Sequence, residues 1–146
     1  MKKQALAVAI LLGALMLAAG PVQAQSSFRV NIPFAFVAGE TALPAGEYVV
    51  KPPEIGGPKA LTLYEVEGDH AAMVLGITTQ AATAKGNGSL VFHCYDNRSR
   101  CFLSKMWTAG SPFGLQLGET RREVEIAKNE APQNVVLVAS ISTLRR

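Results

Sequence analysis

Four consecutive residues, His93, Cys94, Tyr95 and Asp96, set an imidazole, a thiol, a phenol and a carboxyl group side by side. By composition this is a nucleophile, a base and an orienting acid, the set that a thiol enzyme or a hydrolase uses. The flanking sequence works against that chemistry. Ser89 to Trp107 reads SLVFHCYDNRSRCFLSKMW, two apolar, aromatic-rich runs on either side of Asp96-Asn97-Arg98-Ser99, which is the pattern of a β-hairpin. Successive residues of a strand point to opposite faces, so His93 and Cys94 meet as base and nucleophile only if a bulge near Tyr95 breaks the alternation. In a regular strand His93 is instead a cross-strand partner, here of Phe102.

A two-residue loop centred on Asn97-Arg98 sets Tyr95 opposite Arg100, Cys94 opposite Cys101 and Phe92 opposite Leu103. The cysteine pair therefore reads as a disulfide, Cys94 to Cys101, closing a small loop. Two rivals do not fit the spacing. Six residues separate the cysteines, where a thioredoxin-like redox motif has two, and a zinc site normally takes four ligands. His70 with Glu67 and Asp69 is a second cluster, able to hold a divalent cation weakly or simply to be a solvated turn. The aromatic residues Phe92, Tyr95, Phe102 and Trp107 at strand spacing read as core, with Tyr95, Trp107 and His93 kept as a possible ligand or interaction surface, since Trp107 ends its strand beside a glycine-rich loop. No catalytic, cofactor-binding or metal-ligating set is assigned, and no cofactor is expected.

Around the hairpin the chain reads as short strands. Phe28 to Val37 (FRVNIPFAFV) alternates strictly, with Phe28, Val30, Ile32, Phe34 and Phe36 on one face, and Pro33 marks an edge or a bulge because it cannot donate to a ladder. Leu43-Pro44-Ala45-Gly46 is a turn leading into a strand from Glu47 to Lys51. Pro52 to Pro58 is a loop. Ala60 to Glu67 and His70 to Gln80 are strands about a Gly68-Asp69 turn, the second apolar on both faces at its centre and so expected to be covered. Leu115 to Leu117 is a brief strand. Thr120 with Glu123 forms a capping box that opens the single helix, Thr120 to Lys128. Asn134 to Ser142 is apolar on both faces and reads as a buried closing strand. The expected fold is all-β and mainly antiparallel, one domain of about seven or eight strands in a barrel or sandwich, with one short helix in its C-terminal half.

The N-terminus carries an export signal. Met1-Lys2-Lys3 precedes an apolar run from Ala5 to Ala19 and then Gly20-Pro21-Val22-Gln23-Ala24, a signal peptide with its cut after Ala24. The run is shorter than the ~20 residues that span a bilayer as a helix. Residues 1–24 are thus a targeting segment and 25–146 a single β-domain, in the periplasm or secreted, without a membrane span after cleavage. Removing Lys2 and Lys3 leaves 12 basic against 11 acidic side chains, so the sequence pI near 9.0 does not argue for a nucleic-acid partner. An oxidising compartment fits the cysteine pair.

Several stretches together resemble a family of small exported bacterial β-proteins to which no activity is assigned. They are Phe28 to Phe36, Leu43 to Tyr48, Leu90-Val91-Phe92-His93, Phe102 to Trp107 and Arg121-Arg122-Glu123. The resemblance covers nearly all of the chain after the signal segment and implies an all-β exported module. The chain departs from the pattern at Cys94 and Cys101, where the family carries a basic and an aromatic residue, which favours a local staple over thiol chemistry shared by the family. The function expected from the sequence is a non-enzymatic role, structural or interactive, at the cell envelope, with an unknown envelope protein as partner. The alternatives are a β-barrel holding a small apolar ligand and an envelope thiol enzyme or hydrolase using His93 and Cys94.

Overall fold

The computed structural model of the protein describes residues 27–140; the expected signal peptide and positions 141 and 142 of the expected last strand lie outside the described residues. Ten strands and one helix follow in order: β1 (Phe28–Ile32), β2 (Phe36–Ala38), β3 (Thr41–Leu43), β4 (Gly46–Lys51), β5 (Ala60–Glu65), β6 (Ala71–Gln80), β7 (Ser89–Tyr95), β8 (Arg100–Trp107), β9 (Phe113–Leu117), α1 (Arg121–Ala127) and β10 (Gln133–Val138). The fold is all-β with one short helix, as the sequence led us to expect.

The strand number exceeds the expected seven or eight partly because Phe28 to Val37 is not one strand. Pro33 has no amide to give a ladder, and the chain breaks across Pro33-Phe34-Ala35. β1 then pairs with β4, whereas β2 pairs with β3 and runs parallel to β8. Pro33 thus sends one apolar run into two parts of the sheet.

Pairing runs β1-β4-β5-β6-β9-β8-β2-β3, with β7 also on β8 and β10 on β7. β7 pairs along most of β8, so β9 at Lys105 to Trp107 and β2 at Cys101 and Phe102 share the opposite edge of β8. The sheet folds over at β6. Its first half pairs with β5 through Leu75, its second half with β9 from Gly76 onward, and Gly76 N donates to Lys59 O (2.9 Å) at the changeover. Only glycine fits there, because a Cβ on residue 76 would lie 2.5 Å from Gln116 O and 2.8 Å from Leu115 Cγ.

The two layers enclose one core. Val30, Ile32, Tyr48, Val50, Leu61 and Leu63 from the β1-β4-β5 side meet Leu90, Phe92, Leu103, Met106 and Leu115 from the β7-β8-β9 side. The Phe36 ring sits edge-on between Tyr48 and Phe92, 5.4 Å from each, so β2 joins the layers. Beyond β10, Ser140 N donates to Arg29 O (2.8 Å), yet no ladder joins β10 to β1 among the described residues. The sheet is sandwich-like and is not closed into a barrel.

Two expectations of burial are corrected. β6 is not covered on both faces: Ala72 and Val74 enter the core, while Met73, Leu75 and Ile77 are 71%, 69% and 68% exposed. Nor is the last strand buried. β10 pairs only with β7, and it exposes Val136 and Val138. In both strands the outward residues are as apolar as the inward ones, so hydrophobicity alone could not tell the faces apart.

The hairpin register is the expected one. Tyr95 pairs with Arg100, Cys94 with Cys101, His93 with Phe102 and Phe92 with Leu103. The register shifts between Val91 and Phe92, well away from the Tyr95 position at which a bulge would have joined His93 to Cys94. Asp96, Asn97 and Arg98 all hold positive φ (47°, 56° and 71°), and Ser99 closes the turn through its amide to Asp96 O and its hydroxyl to Asp96 Oδ2. A primed two-residue turn requires this hand at its central residues, Asn97 and Arg98, and of the three residues Arg98 is the one that accepts it least readily.

Two substitutions test this backbone account by thermal unfolding. Gly76→Ala forces a side chain against the β9 backbone and lowers stability by about 1–3 kcal/mol. Arg98→Gly relieves a left-handed residue that costs about 1–2 kcal/mol, and after the extra chain entropy of glycine it stabilises by about 0.5–1 kcal/mol.

Candidate functional site

Strand alternation sorts the hairpin side chains into two environments. Phe92 and Cys94 point inward, and Cys94 is bonded to Cys101 across a Cα separation of 4.1 Å, so no free cysteine remains. His93 and Tyr95 point outward, on the other side of the strand from the sulfur. The sequence-adjacent imidazole and sulfur are therefore apart, and the sulfur is tied up in a disulfide.

The outward side chains are covered by α1. Thr120 caps the helix, its Oγ1 accepting from Glu123 N (3.2 Å), which is the first half of the expected capping box. The second half is replaced. The Glu123 carboxylate turns away from the Thr120 amide into the hairpin, where Oε1 accepts from the Tyr95 hydroxyl (3.2 Å) and lies 3.0 Å from His93 Nδ1. Glu123 is only 3% exposed. Glu130, just past the helix, accepts from Asp96 N and from Arg100 Nη2 (3.3 Å). Seven residues are too few for a helix to stand alone in water. Two carboxylates, one at each end, anchor this one.

Tyr95 is buried under this strap beside Phe102, with ring centroids 6.0 Å apart. Both are shielded, but on the outer face of β7 and β8 and apart from the main core. Burial, with Glu123 adding to it, pushes the Tyr95 phenol up to about 12. Burial likewise raises the Glu123 carboxyl above its ordinary range, against the pull of the His93 and Tyr95 hydrogen bonds. Glu119 stands beside them: one donor atom each from His93, Glu119 and Glu123 lie within 4.8 Å of one another. Glu119 and Glu123 had no place among the expected site residues. Glu123 is 30 residues from His93 and 28 from Tyr95, and no spacing pattern links them.

The other sequence candidates fall elsewhere. His70 Nδ1 is 2.6 Å from Glu65 Oε2 and 3.8 Å from Asp69 Oδ1, an exposed pair at a turn in which Glu67 takes no part. Trp107 is half-buried on the outer face with Lys85 Nζ 5.3 Å from its ring, and it is not joined to His93 and Tyr95. A hollow of about 140 Å³ opens between β2, β3 and the start of β8, lined by Phe36, Leu43, Cys101 and Phe102 among others. Pockets for drug-sized ligands start near ~300 Å³.

A second outward feature is the row Met73, Leu75 and Ile77 on β6. Its lateral neighbours on the same face are Thr62 and Ala60 of β5 and Gln116 of β9, all uncharged. One strand further out on either side is a lysine: Lys51 opposite Thr62, and Lys105 opposite Gln116. At the usual strand spacing each stands about 10 Å from the row. Tyr64 lies on this face under Lys51 Nζ, 4.9 Å from the ring centroid. No helix among the described residues is long and apolar enough to cross a membrane.

The folded state holds the Glu123 proton more tightly than the unfolded chain does, so it binds more protons between the two carboxyl pKa values. Stability contributed at this group therefore falls as pH rises from the unfolded value, about 4.3, through the raised folded one. Glu123→Gln, which keeps an acceptor, is expected to remove that decline in pH-dependent denaturant unfolding. Glu123→Ala strands the Tyr95 hydroxyl and costs about 1–3 kcal/mol.

Comparison with protein-family models, with curated proteins and with solved structures finds no match to this chain.

Proposed function

We propose that this chain is an exported, non-catalytic β-domain that docks on an anionic lipid surface of the bacterial cell envelope through the outer face of β5, β6 and β9. The observation that carries this reading is the β6 row, three consecutive outward residues of one strand that are each about 70% exposed. A contiguous exposed apolar row on a folded domain marks a surface that meets something else. The flanking lysines choose the occupant. Lys51 and Lys105 bracket an uncharged centre, and each lysine held near an anionic bilayer contributes about 1 kcal/mol. Tyr64 and Trp107, amphipathic aromatics each with a lysine above the ring, are of the type that settles at a bilayer interface. Docking of this kind needs no membrane span, in keeping with the export signal read from residues 1–24. The motif resemblance to exported β-proteins without assigned activity supports the same reading.

The strapped cluster supports the non-catalytic half of the proposal. His93 faces a carboxylate and a phenol in place of a nucleophile, and the sulfur of Cys94 is bonded on the opposite face.

Co-sedimentation with lipid vesicles is the test. The protein should bind vesicles containing phosphatidylglycerol, bind neutral phosphatidylcholine vesicles more weakly, and lose anionic binding as salt rises. Burying one leucine side chain is worth about 1.5–3 kcal/mol, so Leu75→Asp should cut partitioning at least about tenfold while the melting temperature stays near the parent value. Equal binding by Leu75→Asp, or no anionic binding at low salt, overturns the proposal. So does a dimer in sedimentation equilibrium that Leu75→Asp dissolves, since the row would then be a contact between two copies.

A further inference from the structure

We propose that His93, Glu119 and Glu123 bind one divalent transition-metal ion of the Zn²⁺ class, which clamps α1 onto the outer face of the β7-β8 hairpin. Among the described residues this is the one group of three metal-ligating side chains whose donor atoms gather within 4.8 Å. The donors come from two elements that only the tertiary fold brings together: a strand residue, a residue just ahead of the helix, and a residue in its first turn. The lipid-docking face is not involved, so the two readings stand or fall separately.

Three features favour an ion. The first is geometry. His93 Nδ1 and Glu123 Oε1 are 3.0 Å apart. Two donors each about 2.1 Å from a shared ion, the usual Zn–N and Zn–O length, are separated by about 3.4 Å at the tetrahedral angle, so the pair has to open by only about 0.4 Å to admit the ion. Both hydrogen bonds to the Glu123 carboxylate use Oε1, so neither occupies Oε2.

The second is charge. Glu123 is a buried carboxylate with Glu119 and Glu130 close enough to act on the same surroundings. The Arg100 guanidinium is already engaged by Glu130. Among the described residues no lysine or arginine forms an ion pair with Glu123, whose one charged-type partner is His93. A buried anion without a fixed cation is the situation that a metal ion resolves.

The third is access. The His93 side chain is 23% exposed and Glu119 is exposed, so an ion can enter and retain water at its remaining positions. One imidazole nitrogen with two carboxylate oxygens suits Zn²⁺ or a neighbouring first-row ion better than Ca²⁺ or Mg²⁺, which take oxygen donors, and it lacks the sulfur that Cu(I) prefers.

Binding replaces a hydrogen bond. The ion takes the place of the hydrogen between His93 Nδ1 and Glu123 Oε1, forming bonds to nitrogen and oxygen, while the neutral imidazole keeps its one proton on Nε2.

The test uses the chelator-treated protein with its disulfide intact, titrated with Zn²⁺ by calorimetry and with Co²⁺ as a spectroscopic probe. The expected result is one ion per chain with a dissociation constant on the order of micromolar, and a melting temperature that rises with added Zn²⁺. Glu119→Gln alters an exposed side chain and should leave the metal-free melting temperature unchanged while weakening Zn²⁺ binding about tenfold or more. His93→Gln should abolish the Co²⁺ spectrum. The proposal is overturned by binding no tighter than about millimolar, or by affinity that both substitutions leave intact, which would place the ion elsewhere, such as at Glu65, Asp69 and His70.

Discussion

The alternation of side chains along β7 is the constraint on which the rest depends. One step along the strand separates Cys94, inside and bonded to Cys101, from His93 and Tyr95, outside and under the helix. The same two-residue period that puts Phe92 against Phe36 in the core fixes which groups are available to α1. A register slip of one residue would exchange the two sets and leave both unpartnered. The disulfide works against such a slip, because Cys94 and Cys101 are directly opposed only in this register. On the chain-entropy account a loop of this size adds only about 2–3 kcal/mol. Its contribution to defining the pairing is separate from that free energy.

The helix is held in an unusual way. The side chains it turns toward the sheet are Thr120, Glu123, Ile126 and, past its end, Glu130, so the contact is largely polar where a covering helix normally offers an apolar stripe. Hydrogen bonds to ionised groups are stronger than neutral ones, yet burying a carboxylate costs several kcal/mol unless its acceptors are filled. At Glu123 the two opposing effects can be seen in one group: burial raises its carboxyl while His93 and Tyr95 lower it, and burial is the larger. A strap of this kind is specific in direction, because sliding the helix by one turn would leave the carboxylate without its donors. It gives little net stability and much definition.

The outer face of the sheet shows the reverse arrangement. β6 carries apolar residues on both sides and pairs with β5 and then with β9 along its length. Its inward residues close the core; its outward ones, Met73, Leu75 and Ile77, have no element of the described chain above them. α1 covers β7 and β8 instead. Among the described residues the one helix covers a polar cluster and the most apolar outer row is left uncovered, which is difficult to reconcile with stability alone and is the reason that row is read as a docking surface.

The sequence alone determined the local features. The all-β class, the hairpin and its register, the cysteine pairing and the Thr120 cap follow from two-residue periodicity, turn residues and capping chemistry, all of which act over a few residues. Pro33 was visible as an irregularity, but that it divides one apolar run between two regions of the sheet depended on which strands lay nearby. The same holds for burial on β6 and β10, where both faces are equally apolar and only the placing of neighbours separates core from surface. Glu123 is the clearest case. Its sequence context offers a capping box, and the cap itself forms, but a desolvated carboxylate is directed by the donors within reach, and those belong to a strand some thirty residues earlier. Such a contact leaves no periodic trace in the sequence, so the tertiary structure alone decided it.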